Sequence, residues 1–180
     1  MEVGDLQART RACKACPCYQ SRDMPVIYRG APVPELLFVG QSPGKVENEL
    51  GVPFVGPAGK LLNDQLTLRP NLPPWGIINL INCMPPGKFQ RAYATACRPF
   101  LLEKLARLVP AVHHLVTIGN DAEQEIAEIR RLFPVTFDGI ELHSILHPSA
   151  VLRHPSWESR WLSEWERLME RLREDGVYRD

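Results

Sequence analysis

Apolar residues in this sequence fall into short runs, separated by longer stretches in which they recur every three or four positions. The short runs predict buried strands over residues 35–40, 75–81, 112–118 and 141–146. The longer stretches predict helices over residues 59–68, 94–108, 121–132 and 156–173, and a shorter helix is predicted over 5–16. This order predicts an α/β fold, with a central four-stranded, mostly parallel sheet and helices on both faces.

The last predicted helix has a wide apolar face. Its members are Trp157, Trp161, Leu162, Trp165, Leu168 and Leu172. Apolar residues at this spacing are typical of a helix that packs against a core, so we expect this face to be buried.

Three loops rich in glycine, proline or histidine follow predicted strands. They cover residues 40–59, 82–91 and 147–154. Ligands of open parallel sheets bind beyond the carboxyl ends of the strands, so one site is expected to gather all three loops.

Composition limits the class of protein. The 180 residues are 44% hydrophobic and 23% charged, which predicts a single domain over residues 1–180. Lys and Arg number 21, and Asp and Glu also number 21, so any site for a polyanion must be local. No apolar run approaches the roughly 20 residues that cross a bilayer, and the N-terminus lacks a secretion signal. We therefore expect a cytoplasmic protein that does not associate with membranes.

Five cysteines are too few and too scattered for a disulfide scaffold. Cys13 and Cys16 are spaced to bind one tetrahedral centre, and Cys18 lies close by. Cys83 and Cys97 are distant and have no second partner at that spacing. Four thiolates can bind zinc or a [4Fe–4S] cluster, and spacing does not separate the two; the cysteines can also be buried or redox-active thiols.

Three motifs give the chain a resemblance to a known family. They are Gly40-Gln41-Ser42-Pro43-Gly44, the segment from Gly51 to Leu62 (GVPFVGPAGKLL), and His147-Pro148-Ser149-Ala150-Val151-Leu152-Arg153. In this order, and with the four cysteines, they resemble the uracil-DNA glycosylase superfamily, and most closely its iron–sulfur family, called family 4. The resemblance covers most of the chain, from Cys13 to Arg153.

The resemblance implies a fold, a cofactor and a reaction. The fold is a three-layer α/β/α arrangement. The cofactor is a [4Fe–4S] cluster bound by Cys13, Cys16, Cys83 and Cys97, with Cys18 as a spare thiol. The reaction is excision of uracil, or of a related deaminated or modified base, from DNA by a monomeric, monofunctional glycosylase that leaves an abasic site in base excision repair.

The resemblance also assigns the base pocket. Phe54 would stack on a flipped-out base, which Gly40 would help to enclose, although an aromatic residue here can also be ordinary core. Asn79 would bind the uracil edge through its amide; Asn82 is the competing candidate, but it would point to the opposite face of the strand if odd positions face the site. His147 would donate a hydrogen bond to uracil O2 as negative charge develops there, rather than being an ordinary surface histidine.

Residues around the pocket would contact DNA. Val151 and Leu152 would form an apolar wedge that fills the gap left by the flipped nucleotide. Lys60, Ser149 and Arg153 would bind phosphates, which reconciles DNA binding with zero net charge.

The first motif departs from the family pattern. Gln41 replaces the family's glutamate, and Ser42 stands where another branch has a water-activating aspartate, so neither can act as a carboxylate base. Glu47 remains, at a position where the family has an acidic residue associated with excluding the thymine methyl group. The segment after Cys83 also departs from the family pattern and includes Phe89. Phe89 either contacts DNA or packs in the interior.

Three hypotheses follow. The first is a glycosylase acting on uracil or a related base. The second is a superfamily member with altered base specificity, or one that binds nucleic acid without efficient excision, because Gln41 and Ser42 are neutral. The third is a structural zinc module with an unrelated α/β enzyme pocket.

Overall fold

Five strands form one sheet in the computed structural model, which describes residues 4–178. They are β1 (Arg29–Gly30), β2 (Leu36–Gly40), β3 (Trp75–Asn79), β4 (His114–Ile118) and β5 (Glu141–Ile145). Their order is β1-β3-β2-β4-β5. Strands β2 to β5 are parallel where they pair, and β1 is antiparallel to β3. The predicted mostly parallel sheet is confirmed, with one strand more than the four expected.

The additional strand β1 has only two residues, too few to produce a periodic pattern in the sequence. Gly30 has φ +135°, and a Cβ at this position would lie 2.3 Å from the Trp75 carbonyl oxygen. Glycine therefore permits β1 to approach the edge of β3 closely.

Seven α-helices surround the sheet in the described part of the chain. They are α1 (Gly4–Ala12), α2 (Lys45–Leu50), α3 (Pro57–Thr67), α4 (Arg91–Leu108), α5 (Asn120–Leu132), α6 (Pro148–Arg153) and α7 (Glu158–Glu174). Helices α2 and α6 lie in segments that the sequence predicted as loops. Each has six residues, less than two turns, so neither shows a helical repeat of apolar residues.

Alternation along the central strand divides the core into two layers. Leu37 and Val39 pack in a cluster that includes residues of α4 and α5. Leu36 and Phe38 pack in a second cluster, with residues of α3 and α7. Side chains of a strand alternate between its two faces, so β2 holds both helical layers together. This is the expected three-layer arrangement.

The apolar face of α7 is narrower than predicted. Trp165 and Leu172 are buried, as are Trp161 and Leu168, but Trp157 is 42% exposed and Leu162 is 43% exposed. The expectation for Trp157 and Leu162 was wrong: Trp157 precedes the helix in a short 3₁₀ turn, and Leu162 lies beside the buried stripe.

The sheet order creates a crevice at one edge. The chain passes from β2 to β3 on one side, whereas β4 pairs with the opposite side of β2. The loops that leave β2 and β4 therefore diverge, and space opens between them beyond the carboxyl ends of the strands. Within residues 4–178, no helix is both long enough and apolar enough to cross a membrane.

Candidate active site and cysteine cavity

A cleft of about 500 Å³ opens beyond the carboxyl ends of β2, β3 and β5. Its walls include many of the predicted site residues: Gln41, Ser42, Glu47, Phe54, Asn79, His147, Ser149 and Leu152. The loops after β2 and β5 thus meet as expected. The loop over residues 82–91 does not line this cleft, so that expectation was wrong; Phe89, within it, packs against the core formed with α4 and α5.

Phe54 enters the cleft from an unusual backbone conformation. Its φ of +53° is the only positive value among the described residues other than glycine. The Phe54 carbonyl accepts hydrogen bonds from Arg29 Nη1 (2.9 Å) and Asn63 Nδ2 (3.3 Å). A Cβ on Gly59 would lie 2.1 Å from the same carbonyl oxygen. The backbone of Phe54 is therefore fixed by contacts outside the cleft, which offset a conformation that costs of order 1–3 kcal/mol.

Glu47 organises the segment after Phe54. It is 8% exposed, and its Oε1 accepts hydrogen bonds from the backbone amides of Val55 (3.0 Å) and Gly56 (2.7 Å). A carboxylate bound to two backbone amides makes strong hydrogen bonds. Glu47 thus stabilises the loop that presents the phenyl ring, besides lining the cleft.

Asn79, the last residue of β3, is 1% exposed. Its side-chain oxygen Oδ1 is buried and has no hydrogen-bond partner. A Cβ on Gly40 would lie 2.6 Å from this oxygen and 2.5 Å from Phe54 Cε2, so glycine leaves the space that both side chains occupy. A buried acceptor without a partner costs about 1–3 kcal/mol, which indicates a position adapted to a ligand that donates a hydrogen bond.

Asn82, the competing candidate, is occupied elsewhere. It is fully buried, its Nδ2 donates to Thr10 Oγ1 (3.1 Å), and its Oδ1 accepts from Lys104 Nζ (2.6 Å). It lines the cysteine cavity described below and not the cleft.

His147 begins helix α6 and faces Phe54, with the ring centroids 5.8 Å apart. Its Nδ1 accepts a hydrogen bond from the Ser149 backbone amide (3.2 Å) and lies 2.8 Å from Ser149 Oγ. An accepting Nδ1 places the proton of a neutral imidazole on Nε2. Burial and, to a smaller extent, the charge of Arg153 lower the pKa of His147 to about 4, against opposing effects of Glu47 and Asp121. His147 is therefore a neutral N–H donor at pH 7.

Gln41 and Ser42 line the cleft beside His147 and form a chain with a residue that the sequence did not single out. Gln41 Nε2 donates a short hydrogen bond to Asp121 Oδ2, and Gln41 Oε1 accepts one from Ser42 Oγ (3.2 Å). Asp121 lies in the first turn of α5. The sequence indicates only that Asp121 is an acidic residue at the start of a helix. The residues around it do not show that β4 pairs with β2, which brings Asp121 close to Gln41.

The residues predicted to contact DNA lie in different surroundings. Leu152 is 48% exposed and lines the cleft, and Arg153 lies beside an adjoining cavity of about 230 Å³. Lys60 is exposed on the first turn of α3. Val151 is 8% exposed and packs in the core with α3 and α7. The expectation that Val151 forms a wedge with Leu152 was wrong, because the helix formed by Pro148–Arg153 turns Val151 inward.

All five cysteines border one small cavity of about 20 Å³, whose lining also includes residues of α4 and of the segment that follows β3. Burial raises the pKa of Cys97 to about 11 and that of Cys18 to about 12, and the neighbouring cysteines act in the same direction. A thiolate in this cavity would be stabilised by a nearby cation. In residues 4–178, no three cysteine sulfurs lie within 4.8 Å of one another. Five thiol donors around one cavity are a donor set of the kind that binds zinc or an iron–sulfur centre.

Two cations lie beside this cavity. Arg22 Nη1 is 3.5 Å from Cys83 Sγ and 3.2 Å from the Cys13 carbonyl oxygen. Lys104 is fully buried, and its Nζ donates to the Asn79 carbonyl (2.7 Å) as well as to Asn82. Burial lowers the pKa of Lys104 to about 8, and nearby Cys97 and Cys83 act against this effect. Lys104 links the strand end that carries Asn79 to the wall of the cysteine cavity.

Comparison with known proteins identifies the family. A sequence profile described as "Uracil DNA glycosylase superfamily" matches residues 27–170. The chain belongs to this superfamily. The match spans all five strands and includes every residue assigned above to the cleft. The resemblance and the three-layer fold that it implied are confirmed.

Curated members of the uracil-DNA glycosylase superfamily align with most of the chain. The type-4 uracil-DNA glycosylase of Pyrobaculum aerophilum is 30% identical over 173 residues, covering 87% of each chain. That of Archaeoglobus fulgidus is 27% identical over 185 residues, covering 93% of this chain and 92% of its own. The type-4 enzyme of Sulfurisphaera tokodaii is 34% identical over 119 residues, which are 64% of this chain and 53% of that protein. The chain thus spans about half the length of this last relative.

Proposed function

We propose that the cleft binds a uracil base flipped out of DNA and that the protein hydrolyses its N-glycosidic bond, leaving an abasic site. The observation that supports this most strongly is the unpartnered Asn79 Oδ1, which is buried beside Phe54 and His147. The type-4 names of the relatives support the same reaction.

Base recognition uses the Asn79 amide and the Phe54 ring. Uracil N3–H donates to Asn79 Oδ1, which supplies the missing partner, and uracil O4 accepts from the amide nitrogen. Cytosine presents an acceptor at N3 and a donor at N4, so it cannot make this pair in the same orientation. Stacking on Phe54 contributes about 1–3 kcal/mol. Glu47 borders the same cleft, where its bulk excludes a methyl group on the base.

His147 stabilises the leaving group. The bond between sugar C1′ and uracil N1 breaks with its electron pair on the base, and the sugar becomes cationic. The neutral Nε2–H of His147 donates to uracil O2, where negative charge collects. Such donors are worth about 10²–10³ in kcat. A water oxygen then bonds to C1′, and the proton released by this water balances the charge of the departing base.

DNA contacts surround the cleft. Leu152 fills the space that the flipped nucleotide leaves, and Ser149, Arg153 and Lys60 contact phosphates. With zero net charge and few basic residues at the rim, we expect binding to depend only weakly on salt.

We also propose that Cys13, Cys16, Cys83 and Cys97 bind a [4Fe–4S] cluster; the grouping of the cysteines around one cavity supports this proposal. When bound, the cluster ties the N-terminal segment to the loop after β3 and to α4, and its role is structural. Cys18 borders the same cavity, so the choice of four ligands is a prediction that substitution tests.

The experiment is a single-turnover excision assay on single-stranded and duplex oligonucleotides that contain uracil, hypoxanthine or a 5-modified pyrimidine. We expect uracil excision by the wild type and losses of at least about 100-fold in Asn79→Ala and His147→Ala. Asn71→Ala and His113→Ala change exposed residues of the same types outside the cleft and should excise normally. A wild type as inert as His147→Ala on every substrate would refute the proposal.

A second candidate function is binding of a flipped base without efficient excision. The neutral side chains of Gln41 and Ser42 favour it, because general-base assistance is typically worth 10²–10⁴-fold. Wild-type protein that binds uracil-containing DNA in preference to normal DNA, but does not cleave the glycosidic bond, would support this candidate.

A further inference from the structure

A carboxylate reaches the active site from an element that the first motif does not include. Asp121 follows the turn that ends β4, and its Oδ2 accepts a hydrogen bond from Gln41 Nε2. The turn depends on Gly119, which has φ +86° and would bring a Cβ to 3.0 Å from His147 Cβ. The topology thus places Asp121 beside both the β2 loop and the histidine loop.

Asp121 borders a polar cavity of about 230 Å³ next to the base cleft. Gln41, His147 and Ser149 border both spaces, so the two cavities adjoin at these residues. The charge of Asp121 raises the pKa of His147, against the larger effect of burial. The carboxylate therefore acts electrostatically on the residue that contacts the leaving group.

The carboxylate that lines the cleft itself, Glu47, is already engaged. Glu47 Oε1 accepts two backbone hydrogen bonds that hold the Phe54 loop. Asp121, in contrast, binds the side chain of Gln41, whose other amide atom accepts from Ser42 Oγ. A chain of three side chains runs from the carboxylate to a hydroxyl in the cleft.

We propose that Asp121 is a positioning residue for the glycosylase reaction, taking the place of a carboxylate on the β2 loop. It fixes the orientation of the Gln41 amide and, through it, of the Ser42 hydroxyl, which is left with lone pairs that accept a hydrogen bond from the attacking water. Its negative charge also stabilises the cationic sugar. This inference rests on the proposed function.

The test separates the effect of the Asp121 charge from the effect of its hydrogen bond with Gln41. Asp121→Asn removes the charge but retains an acceptor for Gln41, whereas Asp121→Ala removes both. The double variant Gln41→Glu/Asp121→Asn returns the charge to the β2 loop and reverses donor and acceptor. The control Glu123→Gln removes an exposed carboxylate from the same first turn of α5. Single-turnover rate, KM and melting temperature are measured for each protein.

We expect kcat of Asp121→Asn to fall at least about tenfold at unchanged KM, because it loses a charge that acts on the transition state. The kcat of Asp121→Ala should be lower still, and the kcat of Glu123→Gln should equal that of the wild type. The double variant should regain most of the wild-type kcat. A wild-type rate in Asp121→Asn, or a double variant no faster than Asp121→Asn at equal melting temperature, would overturn the role of Asp121 while the glycosylase proposal stands. An inert wild type would overturn both.

Discussion

The substitution Gly40→Ala tests the geometry of the proposed base pocket directly. The added methyl group would lie 2.5 Å from Phe54 Cε2 and 2.6 Å from Asn79 Oδ1. Ordinary van der Waals contacts are 3.4–4 Å, so the ring must move by about 1 Å. The Phe54 backbone cannot follow, because Arg29 and Gly59 fix it. The ring therefore rotates into the space that the base would occupy.

Loss of stacking worth about 1–3 kcal/mol corresponds to a decrease of roughly 5- to 150-fold in kcat/KM for uracil excision. Overpacking should also lower the free energy of unfolding by about 1–3 kcal/mol. Single-turnover kinetics and urea denaturation measure the two effects. Gly87→Ala is the matched control, because a Cβ there meets no atom within 4 Å. If Gly40→Ala retains both the rate and the stability of the wild type, the pocket described above is wrong.

Two further predictions concern His147 and the cysteines. Because the pKa of His147 is lowered to about 4, kcat should stay constant from pH 8 to about pH 5. The same group should stabilise the fold fully above its unfolded pKa of about 6.5, and that contribution should decline as the pH falls towards 4; an excision rate that falls with an apparent pKa near 6.5 would contradict this description. Cys18→Ser should retain the iron content and brown colour of the wild type and Cys83→Ser should lose them, as measured by iron analysis after anaerobic purification; equal losses would show that Cys18 is a ligand.

Much of the fold is visible in the sequence because it depends on local patterns. The four longer strands and the long helices bury continuous faces, and their apolar residues recur with the period of the element. The short elements β1, α2 and α6 do not span enough residues to show a period. Of these three elements, helix α6 has the largest effect on the candidate site, because it places Val151 in the core and Leu152 at the edge of the cleft.

The base pocket was predicted from motif resemblance, whereas its supporting contacts depend on the three-dimensional arrangement. Nothing near Asp121 in the sequence indicates that β4 lies beside β2, and so the pair with Gln41 could not be anticipated. Similarly, the sequence pattern predicts that Lys104 lies on the polar, exposed face of an amphipathic helix, whereas it is fully buried. Its burial follows from two acceptors, the Asn79 carbonyl and Asn82, supplied by another element.

The positive φ of Phe54 has a consequence for how this protein would respond to random mutagenesis under selection for repair. The ring is held by its backbone, through Gly59 and Arg29, neither of which borders the cleft. Loss-of-function variants should therefore accumulate at these two positions as often as at Phe54 itself. A map of intolerant positions would outline the scaffold of the loop as clearly as the surface that meets the base.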